Sequence, residues 1–128
     1  MPGTNREAKK MRLLQALLIL MLPMAARAGG DPAHGQVLYR SQCMACHSVD
    51  YNGVGPAHKG VFGRRAGSLA NYNYSPALKA AGLVWSETTL EQWLRDPEQL
   101  VPGQKMGVMV QSAQERADLI AYLKTLNP

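Results

Sequence analysis

Cys43, Met44, Ala45, Cys46 and His47 form the pattern C-x-x-C-H, and they hold both cysteines of the chain. Two thiols three residues apart on a helical turn project the same way. Each can form a thioether to a vinyl group of one flat cofactor. His47 then turns its imidazole toward a metal from the same side. This is the attachment chemistry of c-type haem. A thioredoxin-like redox pair is the competing reading, but it needs a βαβ setting and leaves His47 without a role. Two cysteines also cannot build a disulfide-dense scaffold or a four-cysteine zinc site.

Six-coordinate haem iron takes a second axial ligand, commonly a neutral histidine or a methionine sulfur. The candidates are His34, His58, Met44, Met106 and Met109. Met44 lies inside the attachment loop, on the wrong side. His34 stands in the first turn of an expected helix and reads as a surface residue. His58 follows His47 by only eleven residues and would need a wide loop to reach the opposite face. Met106 and Met109 sit in a segment bounded by proline and glycine that can swing a side chain over a flat cofactor. Either could equally be a gap-filling core methionine. The residues alone leave these two open.

Four helices are expected to position these groups. The first opens at Asp31-Pro32, an acidic cap followed by a proline whose missing N–H costs nothing there. Ala33, Val37 and Leu38 have helical spacing, Tyr39 lies beside them, and the segment runs into Cys43. The glycine-rich stretch Ser48–Asn73 has no period and reads as loop. Ser75-Pro76 starts a short helix that Gly82 ends. Thr88–Glu91 fits a capping box, with Leu90, Trp93 and Leu94 on one face until Pro97 stops the helix. A loop from Pro97 to Gln111 follows. Ser112–Glu115 is a second capping box, opening a helix that presents Leu119, Ile120, Leu123 and Leu126, with Tyr122 nearby. No β alternation of useful length appears, so the expected fold is all-α with large loops.

The 128 residues amount to one domain. The formal charge of +5 suggests nucleic acid or membrane until it is divided along the chain. Residues 1–28 carry five bases and one acid, a net of +4, and residues 29–128 carry nine bases and eight acids, a net of +1. A basic nucleic-acid-binding domain is therefore not expected. Residues 1–28 read as a secretory signal: bases up to Arg12, an apolar run from Leu13 to Leu22 broken only by Gln15, then Ala26-Arg27-Ala28 as a cleavage pattern. The run falls short of the roughly 20 residues that span a bilayer. Cleavage after Ala28 would leave residues 29–128 as the working domain, in the periplasm; retention would leave an anchor. With one phenylalanine, that domain has a thin core and needs something besides side chains in its middle.

From Asp31 to Leu126 the chain resembles the class I cytochromes c, the group that includes mitochondrial cytochrome c and its bacterial monohaem relatives. The matching residues are Cys43–His47, Gly55-Pro56, Phe62-Gly63-Arg64, Asn71–Tyr74, Trp85, Pro102–Met106 and Glu115–Lys124, in the family's order and at nearly its spacing. The resemblance implies one covalently attached haem c per chain, with His47 and Met106 as its axial ligands. It implies that the Pro56 carbonyl accepts the other ring N–H of His47. It further implies that Arg64, Tyr74 and Trp85 are donors near the haem propionates, and that Gly35 and Tyr39 cross Leu119 and Tyr122 where the terminal helices meet. Departures are a shorter segment between His47 and Pro56, Leu78 and Gln104 where asparagine and threonine are usual, Trp93 for a tyrosine, and a thin set of lysines (Lys59, Lys79, Lys105).

The implied function is an exported one-electron carrier, not an enzyme. It would shuttle between respiratory or photosynthetic partners such as a quinol–cytochrome c reductase and a terminal oxidase. The alternatives are a dedicated cytochrome partner of a periplasmic dehydrogenase and an open-site haem protein that binds gases or peroxide. A monomer is expected.

Overall fold

The computed structural model describes residues 29–128; the expected signal segment and its cleavage pattern lie outside the described residues. Five helices are present among them: α1 Pro32–Gln42, α2 Pro76–Ala80, α3 Glu87–Arg95, α4 Pro97–Leu100 and α5 Ala113–Lys124. No strand forms among the described residues, and Arg65 and Val84 meet in one isolated antiparallel bridge. The architecture is the expected all-α fold with long loops, with one helix more than the four expected.

The extra helix is α4. Pro97 does end α3, because its ring cannot continue the preceding hydrogen-bond ladder. The same proline is well suited to a first helical position, and the Asp96 side chain caps the new turn by accepting from Gln99 N at 3.1 Å. The start of α3 also differs from expectation. Its cap is Ser86, not Thr88: the Ser86 hydroxyl accepts from Thr89 N at 3.2 Å and the Thr89 hydroxyl accepts from Ser86 N at 2.8 Å. Thr89 thus fills the returning position that a glutamate was expected to fill. At α5 the Ser112 hydroxyl caps Glu115 N. Gly82, at φ +70°, follows α2 as the left-handed residue a helix end favours.

Helices α1 and α5 cross tightly. A Cβ at Gly35 would overlap the Asp118 carbonyl and crowd the Tyr122 side chain, so only glycine permits the approach. Gly35, Leu38 and Tyr39 are the buried face of α1, while Ala33 and Val37, which share the helical spacing with Leu38, are exposed, Val37 at 60%. From α5, Leu119, Ile120 and Leu123 are buried. The junction has a polar tie as well: the Asp118 carboxylate accepts from Asp31 N at 2.7 Å, faces His34 Nδ1 at 2.7 Å and accepts from Gln114 Nε2 at 2.9 Å.

The long segment 48–73 has no helix but is well anchored. His58 N and Lys59 N donate to Ser48 and Val49 carbonyls, Gly60 N to Leu126, and Gly63 N to Trp85. These bonds satisfy backbone groups that would otherwise be unpaired beside the core. Leu38, Tyr39, Val61, Tyr74, Leu78, Trp85, Leu90, Trp93, Val101, Val110 and the α5 residues form one apolar cluster.

Candidate functional site

A cavity of about 330 Å³ opens into the middle of this cluster. The end of α1 delivers the attachment residues to it. The helix continues past Gln42 as turns, with Cys46 N and His47 N both donating to the Cys43 carbonyl at 3.1 and 2.8 Å. Cys43, Cys46 and His47 therefore reach the cavity together. The cysteines are not joined by a disulfide. Burial pushes the Cys43 thiol up to about 11. No strand forms among the described residues, so the βαβ setting that a thioredoxin-like pair needs is missing there.

His47 is held by its other nitrogen. Its Nδ1 lies 2.8 Å from the Pro56 carbonyl, the contact the resemblance implied. That bond leaves Nε2 as the free, unprotonated nitrogen of a neutral ring, and it raises the ring's basicity as a ligand. Burial lowers the His47 pKa, opposed by the Pro56 bond, so the imidazole stays uncharged near neutral pH. Gly55 is needed for this packing: a Cβ there would run into the imidazole.

On the methionines the structure is selective. Met106 lines the cavity and is partly buried. Met109 is 53% exposed and Met44 56% exposed; neither lines it. His34 is committed to Asp118. His58 does line the cavity, but on the His47 side: the two rings stack with centroids 4.0 Å apart and planes 19° apart. Its Nδ1 lies 2.9 Å from the Tyr39 hydroxyl, and burial, with His47 and Arg64 nearby, takes its pKa down to about 3. From sequence His58 stands only among the candidate ligands, and its stack on His47 is new. The signal was the tight Gly55-Pro56 return, which brings residue 58 back alongside residue 48.

Arg64, Tyr74 and Trp85 all line the same cavity. Arg64 donates from its two terminal nitrogens to the Lys59 and Ala57 carbonyls at 3.1 and 2.9 Å. Its Nε is buried without an acceptor, the one such side-chain atom among the described residues. A buried guanidinium N–H left unpaired is costly, and a carboxylate placed beside it would satisfy it. The Tyr74 hydroxyl takes a long bond from Leu69 N at 3.3 Å. Trp85 packs edge-on against Trp93 with centroids 5.3 Å apart. The residues present therefore fit a flat apolar group with anionic arms: Leu78, Leu90, Val110, Leu119 and Leu123 line the cavity for its body, and the Arg64 donor suits an arm.

An all-α fold that spends its centre on such a cavity, with two thiols and a buried neutral imidazole at its edge, is that of a c-type haem protein. Comparison with known proteins makes the class specific. The cytochrome c family model matches residues 32–127. The chain is 40% identical over 121 residues to cytochrome c2 of Rhodomicrobium vannielii, covering 91% of this chain and 96% of that protein. To cytochrome c2 of Rhodopila globiformis it is 44% identical over 100 residues, covering 76% and 94%. Among solved structures, cytochrome cH from Methylobacterium extorquens superposes with a TM-score of 0.72 at 46% identity, covering 75% of this chain and 99% of that one. The chain belongs to the cytochrome c family: an electron-transfer protein rather than an enzyme, with one covalently attached haem c per chain.

Proposed function

We propose that this chain is an exported single-electron carrier in which Cys43 and Cys46 hold the haem by thioethers and His47 and Met106 are its axial ligands. When bound, haem c supplies a one-electron Fe(III)/Fe(II) couple, the donor protein being oxidised and the acceptor reduced, with no bond made or broken in a substrate. The observation that carries the reading is that Cys43, Cys46, His47 and Met106 line one apolar cavity, while the competing methionines and His34 do not.

The chain's own residues have separable tasks. Pro56 fixes the tautomer of His47. Met106 offers a soft sulfur, which favours the reduced state relative to a second imidazole and implies a comparatively high potential. Arg64, with Tyr74 and Trp85, would receive the propionate arms, and the aliphatic lining excludes water. With Met106 on the iron, no open position would remain for peroxide or O₂. The partners best suited to such a carrier are a quinol–cytochrome c reductase upstream and a terminal oxidase or other reductase downstream. Among the described residues no helix is long and apolar enough to cross a membrane.

The test is the absorption spectrum of the purified holoprotein, with carbon monoxide added to the reduced form. A weak far-red ferric band and indifference to carbon monoxide support the carrier. A missing band with a carbon monoxide response would move the open-site reading to the front.

A further inference from the structure

The segment that carries Met106 is fastened differently at its two ends. Downstream, Val110 N donates to the Leu94 carbonyl at 2.7 Å, and the Arg116 guanidinium donates to the Val110 and Gln111 carbonyls at 2.8 Å each. Arg116 is buried and paired with Glu91 at 2.9 Å. Upstream, Gln104 N donates to the Val101 carbonyl and Lys105 Nζ to the Asn73 carbonyl, each at 3.1 Å, and the remaining fastening rests on Glu98, an exposed residue of α4. Its two carboxylate oxygens accept from Gly103 N at 2.9 Å and from Gln104 Nε2 at 3.1 Å. The other end of the same amide, Gln104 Oε1, accepts from Met106 N. A single glutamine side chain thus ties the Met106 backbone to α4.

We propose that Glu98 and Gln104 form the latch that sets how readily Met106 gives up its place at the iron; this rests on the reading of Met106 as the second axial ligand. For Met106 to leave, one end of its segment must let go. The downstream end is held by a buried, charge-assisted guanidinium, the stronger kind of contact. The upstream end is held by exposed bonds that water can replace, each of modest net strength. The upstream end therefore opens first, and Gln104 is a positioning residue acting through Met106.

Imidazole added to the ferric holoprotein reads this directly. It binds only the open form, so its apparent affinity rises in proportion to the open fraction. Loss of the far-red band reports binding. Gln104→Ala and Glu98→Ala should each bind imidazole about three- to tenfold more tightly than wild type, within the range that net loss of one such bond implies. The double variant should fall well short of the product of the two single effects, because both substitutions break the Glu98–Gln104–Met106 chain and only the Glu98–Gly103 bond is lost independently. His34→Ala, which loosens the α1–α5 junction but removes none of the contacts of Glu98 or Gln104, should leave imidazole affinity unchanged. If Gln104→Ala fails to load haem, Glu98→Ala, which keeps the Gln104–Met106 contact, carries the test. Variants within twofold of wild type, with the far-red band present, would overturn the latch while leaving Met106 as ligand. A wild-type protein lacking the band would overturn the ligand reading itself, and the latch with it.

Discussion

Each residue of the site has a task that its neighbours make possible. Met106 lines the cavity and Met109 stands in solvent, so substituting them should give opposite results. Met106→Ala should lose the far-red band, lower the potential and admit carbon monoxide, while Met109→Ala should keep the wild-type spectrum. Persistence of methionine ligation in Met106→Ala would transfer the role to Met109. Gly55→Ala should be severe despite its small size, because the added methyl has no room beside the imidazole. The expected readout is a sharp fall in the yield of haem-loaded protein on export. Sequence alone made Cys43, Cys46 and His47 legible, since a fixed spacing encodes their chemistry. It could not rank Met106 over Met109 without the family resemblance, because exposure in an irregular loop has no periodic signature. Nor did it show the stack of His58 on His47, which depends on where a turn returns.

Helix placement followed sequence wherever a cap or a proline marks a boundary, as at Asp31, Ser75 and Ser112. It went astray at α3 and α4, where Thr89 does a glutamate's work and Pro97 both ends one helix and begins the next. The α1–α5 crossing lets magnitudes decide a sign. Helix propensity alone says that Gly35→Ala should stabilise by roughly 0.5–1 kcal/mol. Collision with the Asp118 backbone opposes this, and forcing atoms into a packed contact costs typically about 1–3 kcal/mol, occasionally more. The crossing should win, so denaturant unfolding of the holoprotein should show a net loss. The His34–Asp118 pair adds a pH dependence. The Asp118 hydrogen bond raises the His34 pKa above 6.5, against a lowering by burial and with help from the Asp31 and Glu115 charges. Burial pushes the Asp118 carboxyl up, but bonds from His34, the Asp31 backbone and Gln114 bring it below its usual value. A histidine whose folded pKa is raised contributes stability that is fully present below its unfolded value and lost as pH rises through the folded one. His34→Ala should therefore lower the unfolding midpoint at about pH 5.5 more than at about pH 9. An equal loss at both would show that the charge is irrelevant.

For the whole molecule, the distribution of charge bears on how partners are met. Most of the formal +5 lies in residues 1–28, and residues 29–128 carry a net of only +1. Several of the bases in that domain are already engaged: Lys124 with Glu87, Lys59 with Asp50 at 3.7 Å, and Arg116 with Glu91. Lys105 lines the cavity and donates to the Asn73 carbonyl at 3.1 Å, so it brings positive charge to the site's edge. Apolar side chains stand there too, with Val54 at 76% and Val108 at 43% exposure and both lining the cavity. Steering by a charged surface speeds association by roughly 10- to 1,000-fold at low salt, and screening removes it as the Debye length shrinks to about 8 Å near physiological ionic strength. With so little net charge and an apolar rim, the domain of residues 29–128 should sit at the bottom of that range. Stopped-flow oxidation by a redox partner should slow by less than about tenfold between low and physiological salt. A steeper fall would mean that Lys59, Lys79 and Lys105 act as one patch at the docking face, and reversing Lys105 to glutamate would then remove most of the salt dependence.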